Sequence, residues 1–328
     1  MKKRMIPILA AALIFVFSAV ASAGTERTLR LATDAALDYP TTQALSRFAD
    51  LVDEKTGGRI TIEIYPSSLL GDEVSYMEQL MIGTVDIAKL SIGTLSGLYE
   101  DMQVFSLPFM FRNGDEMWQV LESDVGERIK TGLNAYNIQG IGFTDNGSRC
   151  FYTVDPVHTI EDFQNMTIRV QQNRLMMSMI ECLDANPVNV AATELYSALQ
   201  TGVCKGGENN LNTIYTESYY EVAKYIILDN HTTGMDTICV NLDLWNALSA
   251  EDQALITQAM DEATAYDREI WNASVEESLQ SLMDAGAVIY TPDDEVLDSF
   301  REAMAPIYEE YAAEYADWID SIYEVLGR

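Results

Sequence analysis

Histidine is scarce in this chain: His158 and His231 are the two in 328 residues. Neither falls in a His-x-x-x-His or His-Glu-x-x-His arrangement, so a zinc hydrolase has no ligand set to build on. No G-x-S-x-G turn is present, which removes the usual serine-hydrolase elbow. No G-x-x-x-x-G-K-[ST] phosphate loop is present either. Gly140-Ile141-Gly142 opens a G-x-G, but the third glycine is missing and Asp145 would repel a pyrophosphate. The four cysteines, Cys150, Cys182, Cys204 and Cys239, contain no C-x-x-C, so neither a zinc site nor a thioredoxin-type pair is indicated. Four cysteines allow three disulfide connectivities, and buried free thiols fit the sequence equally well.

Cations are also few. Lys and Arg number 20 against 51 Asp and Glu, a formal net charge of −31. Such a chain does not bind nucleic acid through phosphate contacts, and it should not adhere to anionic lipid. The excess serves solubility, and many of the carboxylates fall on helix faces that water can solvate. Its field opposes an anionic ligand, so attraction must come from local cations, over a screening length of roughly 8 Å.

Long apolar runs are missing outside the first residues. Lys2, Lys3 and Arg4 precede the apolar stretch from Ile6 to Val20, and Ala21-Ser22-Ala23 follows as a small-residue cleavage site. This pattern predicts a secretory signal peptide over 1–23 rather than a membrane anchor, hence a soluble, exported mature chain. Export permits disulfides. The roughly 300 residues that remain fit two lobes or one large domain.

What is present reads as alternating strands and helices. Thr28 to Thr33 predicts a strand, and Tyr39 to Lys55 a helix with Leu45, Phe48, Ala49 and Val52 on one face. Ile60, Ile62 and Ile64 alternate with polar residues over Arg59 to Tyr65, a strand. A helix over Asp72 to Met81 and a strand over Thr84 to Ser91 follow. Strands are predicted again at Gln139 to Thr144, Cys150 to Val154, Met166 to Val170, around Val188 and Val190, and at Cys204 to Asn209. Further strands are predicted at Tyr225 to Leu228, Asp236 to Val240 and Ala287 to Tyr290. Helices are predicted over Asn173 to Asp184 and Thr193 to Thr201. Ser249 caps a long helix through Ala285 in a loose S-x-x-Q box, and a last helix starts near Asp294. The order implies an α/β fold with parallel strands, built as two lobes joined by crossing strands, with ligands held between lobes at strand carboxyl ends.

One strand carries the main functional signal. Arg169 lies within Met166-Thr167-Ile168-Arg169-Val170, an apolar strand, and Gly206-Gly207-Glu208-Asn209-Asn210 follows about forty residues later. A buried guanidinium needs an anion, and its planar fork suits a carboxylate gripped by two parallel hydrogen bonds. A protein Asp or Glu would satisfy it as well as a ligand would.

The residues then match a known family in order and spacing. The first-lobe pieces are Asp38-Tyr39-Pro40-Thr41, Thr56-Gly57-Gly58-Arg59, Leu70-Gly71-Asp72-Glu73, Gly83-Thr84-Val85-Asp86 and Leu107-Pro108-Phe109-Met110-Phe111. The second-lobe pieces are Asp145-Asn146-Gly147-Ser148-Arg149, Ile168-Arg169-Val170, Glu194-Leu195-Tyr196-Ser197-Ala198-Leu199-Gln200, Gly207-Glu208-Asn209-Asn210 and Tyr220-Glu221-Val222-Ala223-Lys224-Tyr225. In these the chain resembles the DctP-like solute-binding proteins of tripartite ATP-independent periplasmic (TRAP) transporters. The resemblance implies the periplasmic binding protein fold, with crossing strands and a long helix joining two lobes. The lobes are expected over 24–148 with about 234–272, and over 149–233 with about 273–328. It further implies a monomeric receptor, without catalytic residues, metal or cofactor, that delivers a carboxylate to the small and large membrane subunits of a permease.

By the same resemblance Arg169 binds the ligand carboxylate, Asn209 assists, Arg149 adds a second contact and Glu73 reaches ligand hydroxyls. Asn210 and Asp236 complete the expected site. The pattern is similar to receptors for sugar acids such as glucuronate or galacturonate. It departs from them at Met235-Asp236, where Pro-Glu is usual, and at Lys205-Gly206-Gly207, where Asp-Gly-Ala is usual. Phe143, Phe151, Tyr39 and Tyr215 are candidates to face a sugar ring. A receptor for C4-dicarboxylates or 2-oxo acids is the alternative within the family. An exported sugar-acid lyase or isomerase is the alternative from another class.

Overall fold

The structure, a computed structural model, describes residues 26–328 apart from Gln172; the predicted signal peptide, 1–23, lies outside the described residues. Among the described residues nine strands form one sheet in the order β2-β1-β3-β8-β4-β7-β5-β6, with β9 added beside β8. In chain order they are β1 (Arg27–Ala32), β2 (Ile60–Tyr65), β3 (Ile87–Ser91), β4 (Ile138–Thr153), β5 (Thr167–Val170), β6 (Asn186–Asn189), β7 (Gly206–Asn209), β8 (Tyr225–Asn241) and β9 (Val288–Tyr290).

The sheet has two parallel halves. β1 pairs in parallel with β2 and β3, and β5 in parallel with β6 and β7. Between them run β4 and β8, antiparallel to each other; β8 is also antiparallel to β3, and β4 to β7. The sequence pattern predicted two separate strands within each of these segments. The structure instead makes each one continuous strand, from Ile138 to Thr153 and from Tyr225 to Asn241. The middle stretches, Asp145–Arg149 and Asp229–Met235, are polar and glycine-bearing, so they show no apolar alternation. Their backbones still pair, through register shifts at Gly140/Gly142, Asp145/Gly147 and Arg149/Phe151.

Helices cover both halves. The helix Pro40–Thr56 starts with proline at its first position, where no N–H is missed, and ends on Gly57 at φ 63°. It packs on the long helix Ala250–Asp284, whose 35 residues span about 50 Å. Near its start Ile256, Ala259, Met260 and Ala263 join the core under β1, β3 and β8. Near its end Leu282, flanked by Val275 and Leu279, joins the core under β4 and β8. One helix therefore belongs to both lobes. Its cap is the Ser249 hydroxyl, which accepts from the Asp252 backbone N–H; Gln253, expected in that box, donates instead to the Trp245 carbonyl. At mid-length Asp267 accepts from the Asp145 N–H at 2.6 Å and so ties the helix to the bulge in β4. The final helices, Asp294–Tyr311 and Ala316–Leu326, bury Phe300, Met304, Ile307, Tyr311, Trp318 and Ile322 in the largest core cluster.

Candidate functional site

A cleft of about 440 Å³ opens between the two halves. Its walls come from residues at or just past the carboxyl ends of six strands: Asp34 after β1, Ser67 after β2, Ser91 on β3, Gln171 after β5, Val190 after β6 and Asn209 on β7. Parallel strands aimed at one crevice bring their C-terminal loops together there.

Arg169 enters the cleft from β5 and is only 5% exposed. Its Nε–H donates to the Val190 carbonyl at 2.9 Å, which anchors the guanidinium plane. Among the described residues it has no carboxylate partner within ion-pair distance. Four N–H groups therefore remain for something in the cleft. Such a group is costly to leave unpaired in a buried place, and a planar anion is its natural complement.

Arg149 also lines the cleft, but its fork is full. Nε and one terminal nitrogen grip the Glu208 carboxylate, and that terminal nitrogen also donates to the Glu208 carbonyl. The other terminal nitrogen donates to Asn146 Oδ1 at 3.3 Å and Asn209 Oδ1 at 3.1 Å. All five N–H groups thus have protein acceptors, so Arg149 orients Asn146 and Asn209 and keeps no free donor for the cleft. Behind it lies a fully buried chain of charges. His231 Nδ1 meets Asp229 Oδ2 at 2.7 Å, and Nε2 lies 3.8 Å from Glu208 Oε2. Phe151 stacks on the imidazole, with centroids 4.2 Å apart. Burial pulls the His231 pKa down, yet the two carboxylates lift it to about 9. Burial likewise raises Glu208, but Arg149 and His231 outweigh it and bring Glu208 to about 2.

The other half of the sheet supplies an acidic group built on a lysine. Lys89, central in β3 and 4% exposed, points its Nζ at Asp34 Oδ1 (2.7 Å), Asp236 Oδ2 (3.5 Å) and Glu73 Oε1 (3.8 Å). Burial pulls its pKa down, but the three carboxylates outweigh burial and hold it well above the ordinary value. Asp236, buried on β8, is pushed up to about 6 by burial, with Lys89 opposing and Glu73 and Asp34 reinforcing the rise. Glu73 begins the helix Glu73–Met81 and also accepts from the Ser91 N–H, the Ser91 hydroxyl at 2.8 Å and the Thr94 hydroxyl at 2.6 Å. Asn146 spans the two halves: it donates to Asp236 Oδ1 at 3.0 Å and accepts from Arg149 and from Asn210 Nδ2.

The structure thus brings Arg169, Arg149, Asn209, Glu73 and Asp236 to one cleft. Asn210 stands behind the wall, where it caps the helix Leu211–Thr216 by accepting from the Thr213 N–H at 2.8 Å. Of the aromatic candidates Tyr39 lines the cleft, edge-on to Trp271. Phe143 and Phe151 are core, and Tyr215 stacks on Tyr220 outside the lining. Lys89, Asn146 and Tyr219 were missed. Lys89 had a signal of the same kind as Arg169, a cation in the apolar run Ile87-Ala88-Lys89-Leu90. All four cysteines are free thiols.

A two-lobed α/β fold with its cleft at the strand ends of both lobes is that of a periplasmic solute-binding protein. The model for bacterial extracellular solute-binding protein family 7, DctP, matches residues 31–314, and the chain belongs to that family. It is a TRAP-type solute receptor, a transport protein and not an enzyme. A solute-binding protein of Chromohalobacter salexigens is 34% identical over 280 residues, 85% of this chain and 83% of its own. A TRAP periplasmic solute binding protein from Roseobacter denitrificans, with bound β-D-glucuronate, superposes with a TM-score of 0.87 at 33% identity, covering 91% of this chain and 99% of that one. One from Sulfurospirillum deleyianum, with bound succinate, superposes at 0.86 with 27% identity, covering 92% of this chain and 99% of that one.

Proposed function

We propose that this receptor captures a sugar acid, a hexuronate such as glucuronate or galacturonate, by clamping its carboxylate on Arg169. The observation that carries the reading is the Arg169 guanidinium, held by Val190 and without a carboxylate partner among the described residues. The ligand carboxylate takes its free N–H groups, with Asn209 beside it. Hydroxyls meet Asp236, Glu73, Lys89 and Asn146, and Tyr39 presents an apolar face. Several family structures of about 30% identity hold glucuronate or galacturonate, which supports the same class here. The cleft volume of about 440 Å³ lies in the range of small-ligand sites and leaves room for bridging waters.

In this reading residues 1–23 direct export and are removed, and the mature chain works as a periplasmic monomer. One lobe comprises 24–148 with about 234–272, and the other 149–233 with about 273–328. Their approach buries the Arg169–carboxylate pair, where a lower effective dielectric strengthens it. The loaded receptor then docks on the small and large subunits of a TRAP permease. The test is a thermal-shift and calorimetric panel of uronates, aldonates, C4-dicarboxylates and 2-oxo acids, with native mass spectrometry of the protein as purified. A uronate should raise the melting temperature most, following the logarithm of its concentration over Kd. Stabilisation by C4-dicarboxylates or 2-oxo acids alone refutes the sugar-acid assignment.

A further inference from the structure

Among the described residues the cleft holds three cations, Lys89, Arg149 and Arg169, and two are already spoken for. Arg149 is matched by Glu208 and gives every N–H to the protein. Lys89 is matched more than once over, by Asp34, Asp236 and Glu73. Asn146 fills one oxygen of Asp236 and leaves the rest of that carboxylate to Lys89 and the cleft. Arg169 alone is uncommitted among the described residues. The charges of the cleft can therefore neutralise one incoming anionic group, on the β5 side. On the β3 side an anion meets three carboxylates and one ammonium that is already shared.

We propose that the Asp34–Glu73–Lys89–Asp236 cluster is a specificity element that accepts hydroxyls and rejects a second carboxylate. The inference rests on Arg169 taking the first carboxylate, as proposed above, and it narrows the ligand to a monoacid. A hydroxyl suits the cluster because it can both donate to a carboxylate oxygen and accept from the ammonium. A carboxylate has no proton to donate, so it can only compete with Asp34, Asp236 and Glu73 for Lys89 while repelled by all three. Lys89 is a positioning residue: it holds three like charges close together in a buried place where they would otherwise separate or take up protons. Specificity of this kind comes from a repulsive element, beside the attractive one at Arg169.

Calorimetry at pH 8 tests it with D-glucuronate, D-galacturonate, D-gluconate, D-glucarate and succinate as probes. Gluconate and glucarate are open chains of the same length that differ by a terminal hydroxyl against a terminal carboxylate. The wild-type protein should bind glucarate at least 100-fold more weakly than glucuronate, and more weakly than gluconate. The Asp34→Asn/Asp236→Asn protein should raise glucarate affinity at least tenfold relative to both monoacids. If that variant does not fold, Asp34→Asn alone serves, since the Asp34 side chain is 28% exposed, and its expected relative gain is at least threefold. Wild-type binding of glucarate or succinate within threefold of glucuronate overturns the selectivity. So does an unchanged ratio in a folded variant. Glucuronate binding that survives Arg169→Ala overturns the clamp itself, which separates the two failures. Absence of binding by all five probes overturns both.

Discussion

Replacing Arg169 is the sharpest perturbation available. Its free N–H groups can form two parallel charge-assisted hydrogen bonds to a carboxylate, each contributing about 1.5–3 kcal/mol. Arg169→Ala should therefore lose about 3–6 kcal/mol of binding, or roughly 10²–10⁴ in Kd at 1.4 kcal/mol per tenfold. Arg169→Lys keeps the charge but loses both the fork and the Nε donation to Val190. It should weaken binding by roughly 10–100-fold. Stability should move the other way. The guanidinium is buried without a carboxylate among the described residues, so removing it leaves no orphaned anion there, and the unliganded Arg169→Ala protein should melt no lower than wild type. Isothermal titration calorimetry with D-glucuronate gives the first quantity and urea denaturation the second. A Kd within threefold of wild type refutes the clamp. A stability loss of about 3–5 kcal/mol, the mark of a broken buried ion pair, would mean that Arg169 is structural.

Three further expectations concern the buried charges and thiols. His231 rises from 6.5 to about 9 on folding, so its contribution is full below pH 6.5 and is lost as pH passes through 9, a total of about 3 kcal/mol. Urea midpoints between pH 6 and 10 should fall accordingly, and a flat profile refutes the assignment. Lys89→Met leaves three carboxylates together and should cost about 3–5 kcal/mol at pH 8. Part of that loss should return at pH 5.5, below the value of about 6 to which Asp236 is raised, because Asp236 then carries a proton; equal losses at both pH values in chemical denaturation count against the cluster. The unreduced, unfolded protein should take up four alkyl labels, one for each free cysteine, and dithiothreitol should leave the melting temperature unchanged. Fewer labels by intact mass would reveal a disulfide.

Much of the fold was legible because its outer strands and helices have faces of one kind. Ile60, Ile62 and Ile64 alternate against polar residues, and Leu45, Phe48 and Val52 recur at helical spacing. β4 and β8 were not legible as single strands, because the residues that cross between lobes serve a charge network instead of an apolar core. Arg169 was legible as a cation in an apolar strand, and Lys89 carried the same mark. Its partners explain why the mark was hard to interpret: Asp34, Glu73 and Asp236 come from three other elements, and no spacing in the chain relates them. The full use of Arg149 by Glu208, Asn146 and Asn209 is equally a product of folding, since strand pairing sets Cys150 opposite Asn209 and Phe151 opposite Glu208. Asn210 lies behind the cleft wall because it opens a helix, and its side chain is spent on the Thr213 N–H, Asn146 and Tyr39.

The central strand β8 also governs when this chain can fold. β3 finds its second partner only there, with Ile87 beside Val240 and Ser91 beside Asp236, and β4 pairs with β8 along most of its length. Until the segment Tyr225–Asn241 is available, the β2-β1-β3 half keeps an open edge of unpaired N–H and C=O groups, and β4 has half of its ladder missing. Contacts so far apart in the chain make folding slow, and they defer it until most of the polypeptide exists. A fragment ending before Tyr225 would leave the β3 edge open, a template on which another chain can pair.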